Sequence, residues 1–188
     1  MPVQTWLDLM LLVLVVGAAV SDLAIRKIPN ILLLAAWCGV FALHLLGATP
    51  PGFAAAALGG AAVGFGLFLP LYALRGMAAG DVKLMATVGL FFGPGQTVHA
   101  CILAWCAGGV MALLIILATG RWQLAWTGVR KLMQTLLPLP LLLWLRIGPV
   151  SVPALEQEGA RPQSAGSMPY GVAIAVSALW LLGQRYHG

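Results

Sequence analysis

The chain has 188 residues, of which 61% are hydrophobic and only 8% are charged, and its mean hydropathy is +0.98. Soluble domains carry roughly 25% charged residues, so this composition excludes a water-soluble globular protein, and it also excludes disorder. Unbroken apolar runs such as 31–37 and 113–118 exclude an outer-membrane barrel, whose strands alternate apolar and polar residues. Because a spanning helix uses about 20 apolar residues, we predict an all-α polytopic membrane helix bundle with about six transmembrane helices.

The six predicted spans follow one another in alternating directions. They are residues 3–21, 31–46, 53–74, 82–92, 97–119 and 169–182. The first begins outside, and Ile28-Pro29-Asn30 leads into the second because Pro suits the first turn of a helix. In the third, Gly60 and Gly64 form a GxxxG pattern, which is typical of close helix packing. The fourth is short for a full span, so we expect it to begin inside the protein.

We predict one membrane domain, 1–188, with 121–168 as a cytoplasmic or interfacial insertion. Residues 121–133 are amphipathic, as in an interfacial helix, 136–145 are apolar but contain two prolines, and 151–167 are polar. With six spans, nine of the ten basic residues lie on the cytoplasmic side, which is typical of membrane orientation. The nine are Arg26, Lys27, Arg75, Lys83, Arg121, Arg130, Lys131, Arg146 and Arg161. If 136–145 crosses as a seventh span, the count falls to eight and Arg185 moves inside, so we favour six.

The five acidic residues are the first candidates for chemistry, because charge at bilayer depth is costly. Glu156 and Glu158 lie in the polar loop, where we expect them to be solvated. Asp8 lies near the outer end of the first span, where an acid favours a helix N-terminus. Asp22 and Asp81 instead fall at the cytoplasmic ends of their spans, and we predict that they form a catalytic pair.

Each acid of this pair also has a simpler structural interpretation. Asp22 could pair with Arg26 four residues on, and Asp81 could be an ordinary helix N-cap. Two carboxyl groups near one water have a definite chemistry, because one keeps its proton while the other acts as a base. The base activates water for attack on a peptide carbonyl, and the acid protonates the leaving amine.

No competing catalytic apparatus is visible in the sequence. It contains no HExxH, GxSxG or GxxxxGK[ST] motif, and its three cysteines lie in apolar runs without a CxxC pair, so we expect no metal, disulfide or cofactor. The basic residues occur singly or in pairs beside apolar runs. We therefore expect membrane lipid, and no nucleic acid, as a partner. The oligomeric state is left open.

Three motifs, in order, resemble the type IV prepilin peptidases, which are membrane aspartic peptidases of the GxGD class. They are Ser21-Asp22-Leu23 with Ile28-Pro29-Asn30, then Ala79-Gly80-Asp81-Val82-Lys83-Leu84, then Met168-Pro169-Tyr170-Gly171-Val172. The resemblance runs across nearly the whole chain. It implies that Asp22 and Asp81 are catalytic aspartates, which remove the basic leader of prepilins and pseudopilins at the cytoplasmic face of the bacterial inner membrane.

The resemblance also implies supporting positions around this pair. Lys83 matches a recurrent basic position, where it could bias the protonation of the pair, orient substrate or contact lipid headgroups. Pro29 and Asn30 belong to the first motif and Gly80 to the second. The resemblance further implies that Pro169-Tyr170-Gly171 shapes the entry to the last span near the site.

Two departures from the family pattern matter for function. Ala78 stands where GxGD has its first Gly, and Ala is costly there only if the position needs a positive φ. The chain also lacks the cytoplasmic domain that joins the first two spans in the longer, bifunctional members. It is therefore similar to the short members associated with Flp-type (tight-adherence) pili, and we expect no N-methyltransferase activity.

Two alternatives stay open at this point. Ala78 motivates a catalytically impaired assembly or chaperone subunit that holds pilins before polymerisation. A small transporter could instead use Asp22 and Asp81 as a proton relay. The sequence shows no paired half-repeats of the kind that transporters use, so we favour the peptidase.

Overall fold

The computed structural model describes residues 3–46, 49–73, 76–119 and 170–187. These residues form helices α1 (Val3–Ile25), α2 (Asn30–Leu45), α3 (Phe53–Ala73), α4 (Ala79–Thr119) and α5 (Tyr170–His187), with no strand among them. The predicted all-helical bundle is confirmed. The predictions for 121–133, 136–145 and 151–167 concern segments outside the described residues.

The chain divides into two compact units. One comprises Met1–Ala112 together with Gly166–Gly188, and the other comprises Leu113–Ala165. The first unit contains α1, α2, α3, most of α4, and α5. Of the second unit, only the last turns of α4 are described. That the whole chain forms one domain stays a prediction.

Three of the described helices have the length and composition of membrane spans. Helices α1 and α3 and the stretch Ala79–Ala118 are long and apolar enough to cross a bilayer, whereas α2 is a shorter apolar helix. Large apolar side chains point outward, including Val20, which is 60% exposed, and Leu45, which is 84% exposed. A water-soluble monomer rarely shows such a surface. The protein is therefore an integral membrane protein.

Helix α4 is two helical segments that fold back on each other at Gly93. Gly93 has φ 71° and ψ 174°, outside the helical region. In a straight helix Asp81 and Gly108 would be about 40 Å apart at 1.5 Å per residue. Instead, the Tyr170 side chain interacts electrostatically with Asp81, and its ring lies against Gly108. The segments 79–92 and 94–119 thus agree with the two spans predicted on either side of residues 93–95.

Helices α1 and α5 pack side by side in opposite directions. Asp22, near the end of α1, meets Gly171, near the start of α5, and Asp8 meets Arg185 at the other ends. The two helices are therefore antiparallel, and the count of six spans stays a prediction.

Glycines bring α3 and the first segment of α4 into backbone contact. A Cβ on Gly64 would lie 2.6 Å from the carbonyl oxygen of Met85. One on Gly60 would overlap the carbonyl of Gly89, and one on Gly89 would overlap that of Gly60. Only glycine allows helix axes to approach this closely. The close packing predicted from the GxxxG pattern is confirmed.

Candidate active site

Asp22 lies inside the last turn of α1, because the helix continues to Ile25 instead of ending at Ser21 as predicted. Arg26 ends the helix with φ 52°, in the left-handed region, while its N–H still donates to the carbonyl of Asp22 over 3.1 Å. The Asp22 side chain is only 7% exposed. The helix end therefore holds this carboxyl group inside the bundle.

The N–H of Gly171 donates to Asp22 Oδ2 over 2.8 Å, across 149 positions of sequence. A Cβ on Gly171 would lie 2.8 Å from the same oxygen and 3.0 Å from Asp22 Cβ. Real Cβ atoms essentially never come within 3.0 Å of a neighbour. Gly171 is thus the residue that lets the backbone of α5 reach the carboxyl group.

Asp81 is the third residue of α4 and is 5% exposed. Its Oδ2 accepts from the N–H of Ala78 over 3.2 Å, and its own N–H donates to the carbonyl of Ala78 over 3.1 Å. An acid three positions into a helix that reaches back to the preceding N–H forms one half of a capping box. The N-cap interpretation of Asp81 is therefore wrong by position, since Ala78 precedes the helix and Asp81 lies in its first turn.

Ala78 fits the backbone of this loop. Among the described residues, the non-glycine position with positive φ is Arg26, so Ala78 does not need the conformational freedom of glycine. Gly80 faces Ile28, and a Cβ there would lie 3.6 Å from Ile28 Cβ, which is ordinary contact. The departure from the GxGD pattern at residue 78 consequently places no strain on the loop that carries Asp81.

The structure brings both acids and two residues of the third motif together. Asp81 interacts electrostatically with Asp22 and with Tyr170, and Asp22 interacts with Arg26 as well. Two buried carboxyl groups that interact in this way hold one negative charge between them more cheaply than two. The arrangement can therefore supply one protonated acid and one base.

The other predicted site residues lie around this cluster. Lys83 is exposed and, with Asn30, lines a cavity of about 680 Å³ between α2, α3 and α4. Within the described part of the chain, Lys83 makes no ion pair with Asp22 or Asp81. Pro29 occupies the position before α2 with φ −66°. Pro169 lies outside the described residues.

Two features of the unit are not evident from the sequence. Gly108 makes room for Tyr170, because a Cβ there would lie 2.8 Å from Tyr170 Cε1, and nothing in its sequence context indicates this. Asp8 was assigned to the helix dipole, but it is 7% exposed and forms an ion pair with Arg185 at 3.1 Å. Its predicted structural role is therefore right, whereas the reason is an interhelical contact.

Comparison with known proteins agrees with this geometry. The model of the type IV leader peptidase family matches residues 9–113, which is more than half of the chain. The chain belongs to the type IV leader peptidase family. The protein is accordingly a membrane protease, and its family acts on pilin-type substrates. No curated protein and no solved structure gives a significant match.

The matched region contains both acids but ends before α5. Asp22 and Asp81 fall within residues 9–113, whereas Tyr170 and Gly171 lie beyond them. The contact between Gly171 and Asp22 therefore connects the matched region to a helix that the family comparison does not cover.

Proposed function

We propose that the protein is an aspartic endopeptidase that removes the leader of Flp-type prepilins and pseudopilins. In this proposal Asp22 and Asp81 activate the water that attacks the scissile peptide bond. The reaction takes place at the cytoplasmic face of the bacterial inner membrane. The single observation that carries the proposal is the pair of buried acids, from helices α1 and α4, that interact electrostatically.

The hydrogen bonds at the two acids support a role in water activation. The N–H of Gly171 donates to Oδ2 of Asp22, and the N–H of Ala78 donates to Oδ2 of Asp81. Each carboxyl group is therefore fixed in orientation by one oxygen, and its Oδ1 is the oxygen that can face a water. A catalytic group held in a fixed orientation acts more effectively than a mobile one.

The proposed mechanism divides the work between the two carboxyl groups. The ionised group takes a proton from the water as its oxygen forms a bond to the peptide carbonyl carbon. The protonated group donates to the developing oxyanion. When the C–N bond breaks, a proton passes to the leaving amine, which is the N-terminus of the mature pilin. The pair ends the cycle with the one shared proton with which it began.

The membrane arrangement supports cleavage at an interface rather than in the bilayer centre. Asp22 lies one turn from the end of α1, and Asp81 lies in the first turn of α4. Nine of the ten basic residues can be placed on this side, which the orientation rule assigns to the cytoplasm. An apolar substrate helix could then remain in the bilayer while its leader reaches the acids.

The experiment that tests this proposal compares isosteric variants of the acids. A Flp-type prepilin is expressed with the wild-type chain, with Asp22→Asn, or with Asp81→Asn, and processing is followed by the change in prepilin mass. We expect both variants to accumulate in membranes and to leave the prepilin uncut. Glu156→Gln is the matched control, because it removes one carboxylate from the predicted polar loop, and it should process normally. Processing at the wild-type rate by either Asp variant would overturn the assignment.

A further inference from the structure

A polar cluster ties three helices together at the opposite end of α1 and α5 from the acid pair. Arg185 lies at its centre and donates to Asp8 Oδ1 over 3.1 Å, to Gln96 Oε1 over 2.7 Å and to the carbonyl of Phe91 over 3.2 Å. Its guanidinium carbon also lies 4.8 Å from the centre of the Phe92 ring. One side chain of α5 thus holds α1 and the point where α4 reverses.

The partners of Arg185 are themselves fixed. Tyr186 donates its hydroxyl to Asp8 Oδ2 over 2.8 Å, so α5 contacts this carboxylate with two consecutive side chains. Gly93 has non-helical dihedral angles, and carbonyls at a break in a helix need other donors. Arg185 supplies a donor to Phe91, and the Thr97 hydroxyl supplies one to Gly93 over 2.6 Å.

The distance between the polar cluster and the acid site is the same along α1 as along α5. Asp8 and Asp22 are 14 residues apart on α1, and Gly171 and Arg185 are 14 residues apart on α5. Both separations correspond to about 21 Å of helix. Among the described residues, polar contacts between α1 and α5 occur at these two levels.

Between the two levels the buried residues are mostly apolar. On α1 they include Leu11, Val15 and Ala18, and on α5 they include Ala175 and Ala178. Ser177 of α5 is also buried, but its hydroxyl donates within the same helix, to the carbonyl of Ile174. Apolar faces hold helices together but do not fix the position of one helix along the axis of the other. Buried polar pairs can fix this register. The register of α5 therefore depends on its polar ends.

We propose that Arg185 is a positioning residue, which sets the register of α5 so that the Gly171 N–H meets Asp22. Arg185 does not touch the reacting atoms. It acts through a rigid helix. Its contact with the Phe91 carbonyl holds the segment that carries Asp81 against the same helix, and its contact with Gln96 holds the segment that follows the reversal. Through one guanidinium group, Arg185 on α5 thus contacts both helices, α1 and α4, that carry the two acids. The inference rests on the proposed function, since its consequence is read as cleavage.

We expect substitution of Arg185 to lower the cleavage rate because it displaces the Gly171 N–H from Asp22. A misplacement of about 1 Å caused by a distant mutation can cost up to a hundredfold in rate. We expect Arg185→Gln to lower the single-turnover cleavage rate by roughly tenfold or more, with a smaller change in the substrate concentration that half-saturates the enzyme. Arg185→Lys keeps the charge but not the planar fork of donors, so it should fall between Arg185→Gln and the wild-type chain.

A double-mutant cycle with Gly171→Ala separates positioning from general stabilisation. The full-length chain, Arg185→Gln, Gly171→Ala and the double variant are reconstituted in lipid vesicles with a prepilin, and their single-turnover rates are compared. If Arg185 acts through Gly171, the double variant should be little slower than Gly171→Ala alone. Gln184→Ala, at the exposed neighbouring position, is the matched control and should cleave at the wild-type rate.

Two outcomes would overturn the inference. Arg185→Gln could cleave normally, or its loss could multiply with that of Gly171→Ala, which would mark an independent effect on stability. If Arg185→Gln does not accumulate in membranes, the cycle is run with Arg185→Lys and read in the same way. Asp22→Asn in the same vesicles keeps the two proposals apart. Normal cleavage by Asp22→Asn would contradict the proposed function, whereas an inactive Asp22→Asn with an independent Arg185 effect would contradict only the positioning role.

Discussion

The backbone N–H of Gly171 lies 2.8 Å from Oδ2 of Asp22, at a position where any side chain would collide with that carboxyl group. The contact joins the first described helix to the last. It also gives the third sequence motif a physical role, because the glycine permits a backbone donor to approach a buried acid.

We expect Gly171→Ala to reduce leader cleavage strongly. The added Cβ would lie 2.8 Å from Asp22 Oδ2, so either the helix or the carboxyl group must move and the hydrogen bond is lost. A hydrogen bond to a charged group contributes about 1.5–3 kcal/mol, which corresponds to a rate loss of about one to two powers of ten. Gly183→Ala is the control on the same helix, because its Cβ would meet no atom within 4 Å. Equal rates for the two variants would contradict the prediction.

Gly108 and Gly109 provide a neighbouring pair of test positions. A Cβ on Gly108 would lie 2.8 Å from Tyr170 Cε1, whereas one on Gly109 would meet nothing within 4 Å. Gly108→Ala should displace the Tyr170 ring and lower the cleavage rate several-fold, because Tyr170 interacts electrostatically with Asp81 and directly precedes Gly171. Gly109→Ala should cleave normally. The measurement is the initial rate of prepilin processing at equal amounts of membrane enzyme, and a loss in both variants would indicate a different cause.

Ala78→Gly tests whether the departure from GxGD impairs the enzyme. Ala78 does not adopt a positive φ, so glycine adds only flexibility, which costs about 0.4–1 kcal/mol at most positions. We expect a cleavage rate within a few-fold of the wild-type rate. A large gain would support the alternative of an impaired assembly or chaperone subunit. Quantitative processing assays with a limiting amount of enzyme would show either result.

Proline substitutions test the hydrogen bond that Ala78 makes to Asp81. Ala78→Pro removes the N–H that donates to Asp81 Oδ2 over 3.2 Å, so we expect cleavage to fall by roughly tenfold, given about 1.5–3 kcal/mol for a hydrogen bond to a charged group. Ala79→Pro is the control, because residue 79 is the first of α4 and proline is favoured there. The prediction fails if Ala79→Pro is the slower of the two at equal expression.

We expect the glycine contact between α3 and α4 to affect the stability of the protein and not the catalytic step. Gly60→Ala places a Cβ against the carbonyl of Gly89 and 2.9 Å from the carbonyl carbon of Gly93. Overpacking of this kind costs about 1–3 kcal/mol, so we expect a lower unfolding temperature in detergent and less protein in the membrane. Gly66→Ala on the same helix, with no atom within 4 Å, should be at least as stable as the wild-type chain. A normal unfolding temperature for Gly60→Ala would show that the helices can separate at no cost.

Much of the fold could be predicted from local patterns. The apolar runs predicted the helices, because only helices and closed barrels satisfy every backbone group in a bilayer. Gly93, Pro94 and Gly95 predicted where the chain turns, since a residue with positive φ and a proline interrupt a helix. Both acids stand out in the sequence because so few charged residues occur in the chain.

The sequence by itself thus determined a helical membrane protein with two unusual acids and the approximate ends of its spans, since hydrophobicity and helix breaking act over a few neighbouring residues. Only the tertiary structure decided that Gly171 contacts Asp22, that Gly108 accommodates Tyr170, and that Asp8 pairs with Arg185. The contacts at Gly171 and Arg185 join positions 149 and 177 residues apart. They depend on how α5 packs against α1, and no local pattern in either helix specifies its partner or register.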